Sequence, residues 1–148
     1  MELPDPSTVR TLLVDAGGVL VRPDFERVAR TLARHGVVVE ASALREAEPR
    51  VKRQIDHPPG EGTATDEERG WIYFDLLLRR VGIMPSGATD AALVELKAWH
   101  DGHGLWEEVP AGVGPALRRL RGAGLRLGVV SNSNGTVRPL MERLGFLG

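Results

Sequence analysis

The sequence predicts an α/β protein, a parallel-sheet core whose chain is interrupted by an inserted, all-helical module. Three observations predict it. Leu12-Leu13-Val14 is a continuous apolar run that ends at Asp15 and is followed by Ala16-Gly17-Gly18. That is the pattern of a strand buried on both faces, leaving into a loop that tolerates unusual backbone angles. Far along the chain, Leu125 to Val130 is a second short run, apolar apart from Arg126, and Ser131-Asn132-Ser133-Asn134-Gly135 is the small polar loop after it. Between the two, residues 23–104 carry helical periodicity and no strand pattern.

The elements follow in order. After the first strand, Phe25, Val28, Ala29 and Leu32 mark one helix, and Leu44, Ala47, Val51 and Ile55 mark a second that Pro49 should kink or split. Thr65 with Glu68 forms a capping-box pattern ahead of Trp71, Phe74, Leu78 and Val81, and Leu93, Leu96 and His100 continue the period in a fourth segment. Loops are expected from His57 to Thr65 and from Gly82 to Ala88. Before the second strand, Pro110 fits the first turn of a helix whose apolar face is Val113, Ala116, Leu117 and Leu120, with Gly122 or Gly124 to end it. Beyond that strand, Val137, Leu140, Met141 and Leu144 repeat the helical spacing, and Gly145 supplies a stop. Two strands ending in polar loops, each joined to a helix, give a Rossmann-like sheet, whose ligands sit beyond the carboxyl ends of the strands. The predicted organisation is a partial core, residues 1–22 and 105–148, around a helical insertion, residues 23–104. No internal repeat or low-complexity tract interrupts it.

At 148 residues the chain has room for one ordinary domain or for a small core carrying an insertion. With 42% hydrophobic residues, 26% charged residues and a net charge of -1, it has no bulk electrostatic preference for nucleic acid or an anionic membrane. The absence of cysteine excludes disulfides, thiolate zinc sites and thiol nucleophiles, and suits a cytoplasmic protein. Met1 to Pro6 is polar and proline-broken, unlike a signal peptide, and the run Leu12 to Val21 is too short to span a bilayer.

The chemistry lies at the strand ends. A carboxylate held at the tip of a strand can attack an electrophilic phosphorus or carbon and form a covalent intermediate, and Asp15 is the candidate. Free N–H groups of Ala16, Gly17 and Gly18 would cradle phosphate oxygens as an anion nest. The competing reading is plain: Asp after an apolar strand is commonly a turn or capping residue. A dinucleotide site is a poor fit, because G-x-G-x-x-G is absent, and a P-loop is excluded by the absence of G-x-x-x-x-G-K-[ST].

The stretch from Leu12 to Leu20 resembles the first motif of the haloacid dehalogenase superfamily, and Gly128-Val129-Val130-Ser131-Asn132 resembles its second. Their order and spacing, with a helical insertion between, match members whose cap follows the first motif. The resemblance implies a hydrolase, foremost a phosphatase acting on a small phosphorylated metabolite through an aspartyl-phosphate at Asp15. It implies Mg²⁺ held by the Asp15 carboxylate and the backbone carbonyl of Gly17. Ser131 would donate a hydrogen bond to the transferring phosphoryl group, and Asn132 would support that loop.

The sequence also departs from the pattern. Phosphatases of the family carry a second Asp two residues after the nucleophile as general acid and base; Gly17 stands there and cannot transfer protons. Losing such a group costs on the order of 10²- to 10⁴-fold in rate. Relatives with other residues at that place run dehalogenase or phosphonatase chemistry. The family's third motif, a Lys, and fourth, acidic metal ligands, are not found within these residues. Without them each phosphate charge near Asp15 costs roughly 4 kcal/mol at about 4 Å and an effective dielectric of about 20. A truncated fragment is therefore expected, with an exposed sheet edge and exposed apolar side chains, unstable alone or associating with copies of itself. The rival expectation is a catalytically inactive binding module that kept the scaffold.

Other features are given ordinary roles. Arg22 and Arg138 are expected on the surface. His100-Asp101-Gly102-His103 holds metal-ligand types but is read as a hinge loop. Trp71, Trp99 and Trp106 are read as packing residues, two of them helical. Arg118, Arg119, Arg121 and Arg126, with no interleaved aromatics, are read as a solvated face and not a nucleic-acid site.

Overall fold

A computed structural model describes residues 8–56, 66–132 and 135–146, with residues 66–69 described by their backbone alone. The fold is mixed α/β. In chain order its elements are β1 (Thr11–Asp15), β2 (Arg22–Pro23), α1 (Phe25–Arg34), α2 (Ala41–Asp56), α3 (Asp66–Arg80), α4 (Gly87–His103), β3 (Trp106–Glu108), α5 (Val113–Gly122), β4 (Arg126–Val130) and α6 (Val137–Arg143). They fall into two compact units, one formed by Met1–Pro23 with Trp106–Gly148 and the other by Asp24–Leu105. The sequence reading divides the chain at 22/23 and 104/105.

The helical unit is built on apolar stripes at the expected spacing. In α1, Phe25, Val28 and Leu32 are buried, and Asp24 caps the helix by accepting the Arg27 N–H at 3.0 Å. In α2, Leu44, Ala47 and Val51 are buried, while α3 contributes Phe74, Leu77 and Leu78. Each fully buried Leu or Phe stabilises the fold by about 1.5–3 kcal/mol relative to an exposed one. Pro49 does not split α2, which runs unbroken over 16 residues. Leu44 and Ala47 before it and Val51 after it are all buried, and their packing offsets the missing hydrogen bond. The loop expected from Gly82 to Ala88 ends earlier, because Ser86 caps α4 and shares a capping box with Thr89. The predicted loop from His57 to Thr65, and the predicted box of Thr65 with Glu68, lie outside the described residues or side chains.

Among the described residues the other unit holds two short sheets. β1 and β4 pair in parallel, from Thr11 opposite Arg126 to Asp15 opposite Val130. Alternation puts Leu12 and Val14 with Leu127 and Val129 on one face. Val14 and Val129 pack there against Leu20, Val21, Leu140 and Met141, flanked by Val113 and Leu117 of α5 and Val137 and Leu144 of α6. The opposite face carries Leu13, 67% exposed, and Val130, 52% exposed. The strand read as buried on both faces is thus covered on one only among the described residues, since both helices contribute to the same cluster.

Both helices end as their glycines suggest. Gly124 (φ +83°) lets the Leu125 N–H reach back to the Leu120 carbonyl at 3.2 Å, and Gly145 (φ +71°) does the same for Phe146 and Met141 at 2.9 Å. Pro110 lies before α5, not in its first turn: its carbonyl accepts the Val113 N–H at 2.9 Å in the preceding bend. Ala116, placed on the apolar face, is exposed.

A second, antiparallel ribbon of β2 and β3 was not anticipated. It is clasped by Arg22, whose Nη2 and Nε donate to one Glu108 carboxylate oxygen at 2.6 and 2.9 Å. Arg22 is therefore not an ordinary surface residue; its side chain is 23% exposed and that of Glu108 is 21% exposed. Arg138 is on the surface as expected, paired with Glu142 one helical turn on.

Candidate active site

The site is fixed by the register of β1 and β4. Asp15 ends β1 opposite Val130, which ends β4, and the Ala16 N–H continues the ladder by donating to the Val130 carbonyl at 3.2 Å. Adjacent strands lie about 4.8 Å apart. Ser131, the next residue after Val130, therefore leaves the tip of the strand beside the one that ends in Asp15. Asp15, Ser131 and Asn132 are all exposed to solvent.

Ala16 is buried and organises the exit from β1. Its carbonyl accepts the N–H groups of Leu20 at 2.9 Å and Val21 at 3.0 Å, while the Gly18 N–H donates to the Val21 carbonyl at 2.7 Å. Gly18 has φ +72°, which glycine adopts without the steric cost a side chain would add. Leu20 and Val21 are thereby folded into the apolar cluster beneath the sheet.

This closed turn corrects one expectation. The sequence predicts free donors at Ala16, Gly17 and Gly18, but the Ala16 N–H is engaged by the Val130 carbonyl of β4 and the Gly18 N–H by the Val21 carbonyl within the turn. The Gly17 amide alone of the three donates to no backbone carbonyl among the described residues. Folding commits one of these donors to the ladder with β4 and one to closing the turn, so the loop offers one amide to an anion in place of a three-amide nest.

Gly17 is exposed, its φ is not positive, and a Cβ built there meets nothing within 4 Å. Neither conformation nor space demands glycine. The position that lacks a proton-transferring side chain could hold one.

Among the described residues no three His, Asp or Glu side chains converge to hold a metal ion. The Asp15 carboxylate and the Gly17 carbonyl are both hard oxygen donors. A pair of this kind suits a Mg²⁺ ion that keeps most of its water ligands.

The histidines read as a hinge loop are helical, forming the last turn of α4. Helical spacing continues through Asp101 and Gly102 because Gly104 (φ +81°) supplies the stop one residue after His103. The His103 ring stacks on Trp99 with centroids 4.0 Å apart, and the Arg27 guanidinium lies 3.7 Å from the Trp99 ring. His100 Nδ1 accepts the Leu105 N–H at 3.1 Å. Trp71 lies in α3, Trp99 in α4 and Trp106 in β3. Arg118, Arg119, Arg121 and Arg126 are all exposed.

The clasp of Arg22 and Glu108 had no local signal, since 86 residues separate its partners. Within the helical unit, Arg50, Val51, Gln54, Leu76, Arg79 and Arg80 line a shallow cavity of about 250 Å³ that contains none of the candidate site residues. No helix among the described residues is long and apolar enough to cross a membrane. No protein-family model matches this chain, and no curated protein sequence matches it.

Proposed function

We propose that this chain supplies the nucleophile of a haloacid dehalogenase-like phosphatase, with a Rossmann-like core and residues 24–105 as its cap. One observation carries the reading: Asp15 and Ser131 leave adjacent, parallel, in-register strand tips. The substrate class is a small phosphorylated metabolite.

In this reading an Asp15 carboxylate oxygen attacks phosphorus, forming an acyl phosphate as the bond from phosphorus to the leaving alcohol oxygen breaks. The Ser131 hydroxyl and the Gly17 amide donate hydrogen bonds to the phosphoryl oxygens as charge develops on them. The departing alkoxide takes its proton from water, because Gly17 has none to give. Water then attacks the acyl phosphate, releasing inorganic phosphate and a proton and restoring the carboxylate. Mg²⁺, held by the Asp15 carboxylate and the Gly17 carbonyl, would neutralise phosphate charge that otherwise repels Asp15.

Gly17 favours a second reading, a noncatalytic module that binds phosphate at the same strand tips. Turnover of an aryl phosphate with Mg²⁺ separates the two, measured on the wild type, Asp15→Asn and Ser131→Ala. The phosphatase reading expects slow turnover, one phosphoryl group trapped on the peptide containing Asp15, and loss of both in Asp15→Asn. Turnover that survives Asp15→Asn would remove Asp15 as nucleophile. Binding of inorganic phosphate without turnover, in the wild type and in Gly17→Asp alike, would favour the second reading.

A further inference from the structure

We propose that His100 is a proton-operated latch that ties together the first and last residues of the helical unit. After α4 the Gly104 N–H donates to the His100 carbonyl at 2.9 Å, and the chain turns so that the Leu105 N–H meets the His100 ring at Nδ1, 3.1 Å away. The Leu105 carbonyl in turn accepts the Asp24 N–H at 2.9 Å, and the Leu105 side chain is fully buried. Asp24 is the N-cap of α1. One line of hydrogen bonds thus runs from the imidazole through Leu105 to the start of α1, joining the points where the chain enters and leaves the unit.

A ring nitrogen that accepts an N–H must be unprotonated, so the latch exists only with the proton on Nε2. Protonation of Nδ1 sets two donors facing each other, and Leu105 is released. Burial holds the His100 pKa below its ordinary value of 6.5, with Lys97 adding to the depression and Asp101 opposing it. The charged groups at the start of α1 are Asp24, Glu26 and Arg27; Asp24 and Arg27 pair with each other at 3.6 Å, Glu26 pairs with Arg45 at 3.0 Å, and His103 is stacked on Trp99. Folding therefore favours the neutral ring. The latch's contribution is complete above the unfolded-state pKa and is lost as pH falls from there through the folded pKa.

The test is amide hydrogen exchange at Leu105 and Asp24 from about pH 7.5 to about pH 5, corrected for intrinsic rates, with imidazole ¹⁵N shifts to read the tautomer. The neutral ring should carry its proton on Nε2, and Leu105 protection should fall about tenfold as His100 titrates. In His100→Asn a side-chain oxygen near the Nδ1 position accepts without titrating, so protection should persist and its pH dependence should vanish. A neutral ring protonated on Nδ1 would overturn the latch, as would Leu105 protection that is indifferent to His100 titration. An unchanged pH dependence in His100→Asn would also overturn it, and the tautomer reading on the wild type stands whether or not that variant folds.

Discussion

The two units divide packing and chemistry unequally. In the helical unit Phe25, Leu32, Leu44, Phe74, Leu77 and Leu96 are almost wholly removed from water. In the sheet unit the described core is a small cluster around Leu20, Val21, Leu140 and Met141, and α5 contributes no fully buried residue. Yet the candidate nucleophile, its partner Ser131 and the tight turn after Asp15 all belong to the sheet unit. Residues that bury their side chains cannot offer them to a ligand. A two-stranded sheet ending in polar loops has the opposite balance, with reactive groups in water and little apolar area beneath.

The largest expected effect probes the chemistry side of that contrast. Gly17→Asp introduces a carboxyl where space is open and φ is unstrained. If the phosphatase reading holds, restoring a general acid should raise aryl phosphate turnover by about 10²- to 10⁴-fold, with a new acidic limb in the pH–rate profile. The added charge would also repel phosphate, so the gain should appear in kcat and not in KM. Thermal unfolding should barely change.

Packing is probed next. Phe74→Ala should cost about 3–5 kcal/mol, because the ring is fully buried and its removal leaves a large cavity. Met141→Ala should cost nearer to about 2 kcal/mol, the lower end for such truncations, since its cluster is thin and can relax. Chemical denaturation checks both. Equal losses would erase the difference between the units.

How far the sequence reveals this arrangement depends on the range of the signal. Phe25, Val28, Leu32, Leu44, Val51 and Phe74 announce themselves because helical spacing is local, and all are buried. The strands ending at Asp15 and Val130 are legible for the same reason, as are the glycine stops at Gly124 and Gly145. The ribbon of β2 and β3 is not, because two residues of strand carry no periodicity and its ionic clasp joins distant positions. The open face around Leu13 is hidden for another reason: an apolar run specifies that a strand can be buried, not how many helices cover it. Within the site, Asp15 and Ser131 are placed by pattern, but the amides of Ala16 and Gly18 are committed by backbone geometry that composition does not report.

A smaller effect belongs to the helical unit's surface. Glu95 accepts from His35 Nε2 at 2.9 Å and from Arg34, and these hydrogen bonds, that from His35 the larger, hold its pKa below the ordinary 4.5. A depressed carboxylate pKa contributes stability above the unfolded value, and that contribution is lost as pH falls through the folded value. Wild type should therefore lose more melting temperature than Glu95→Gln on acidification below about pH 4.5. The difference should be slight because the group is exposed to solvent. Equal losses would mean that the contacts between α1 and α4 at this point are electrostatically idle.

The smallest effect is the sharpest test of the open face. Leu13 projects from β1 on the side away from α5 and α6, lying over Gly128 so closely that a Cβ there would stand 2.8 Å from Leu13 Cδ2. At 67% exposure most of its surface is already in water, so Leu13→Ser forfeits little burial. Its unfolding free energy should stay within about 0.5 kcal/mol of wild type, as for other surface changes. A loss of several times that size, measured at concentrations where the chain is monomeric, would mean that this face is covered in solution, and the contrast between a packed helical unit and a thinly covered sheet would fail. An effect that grows with protein concentration would instead assign the cover to a second copy, because only a bound partner makes stability depend on concentration.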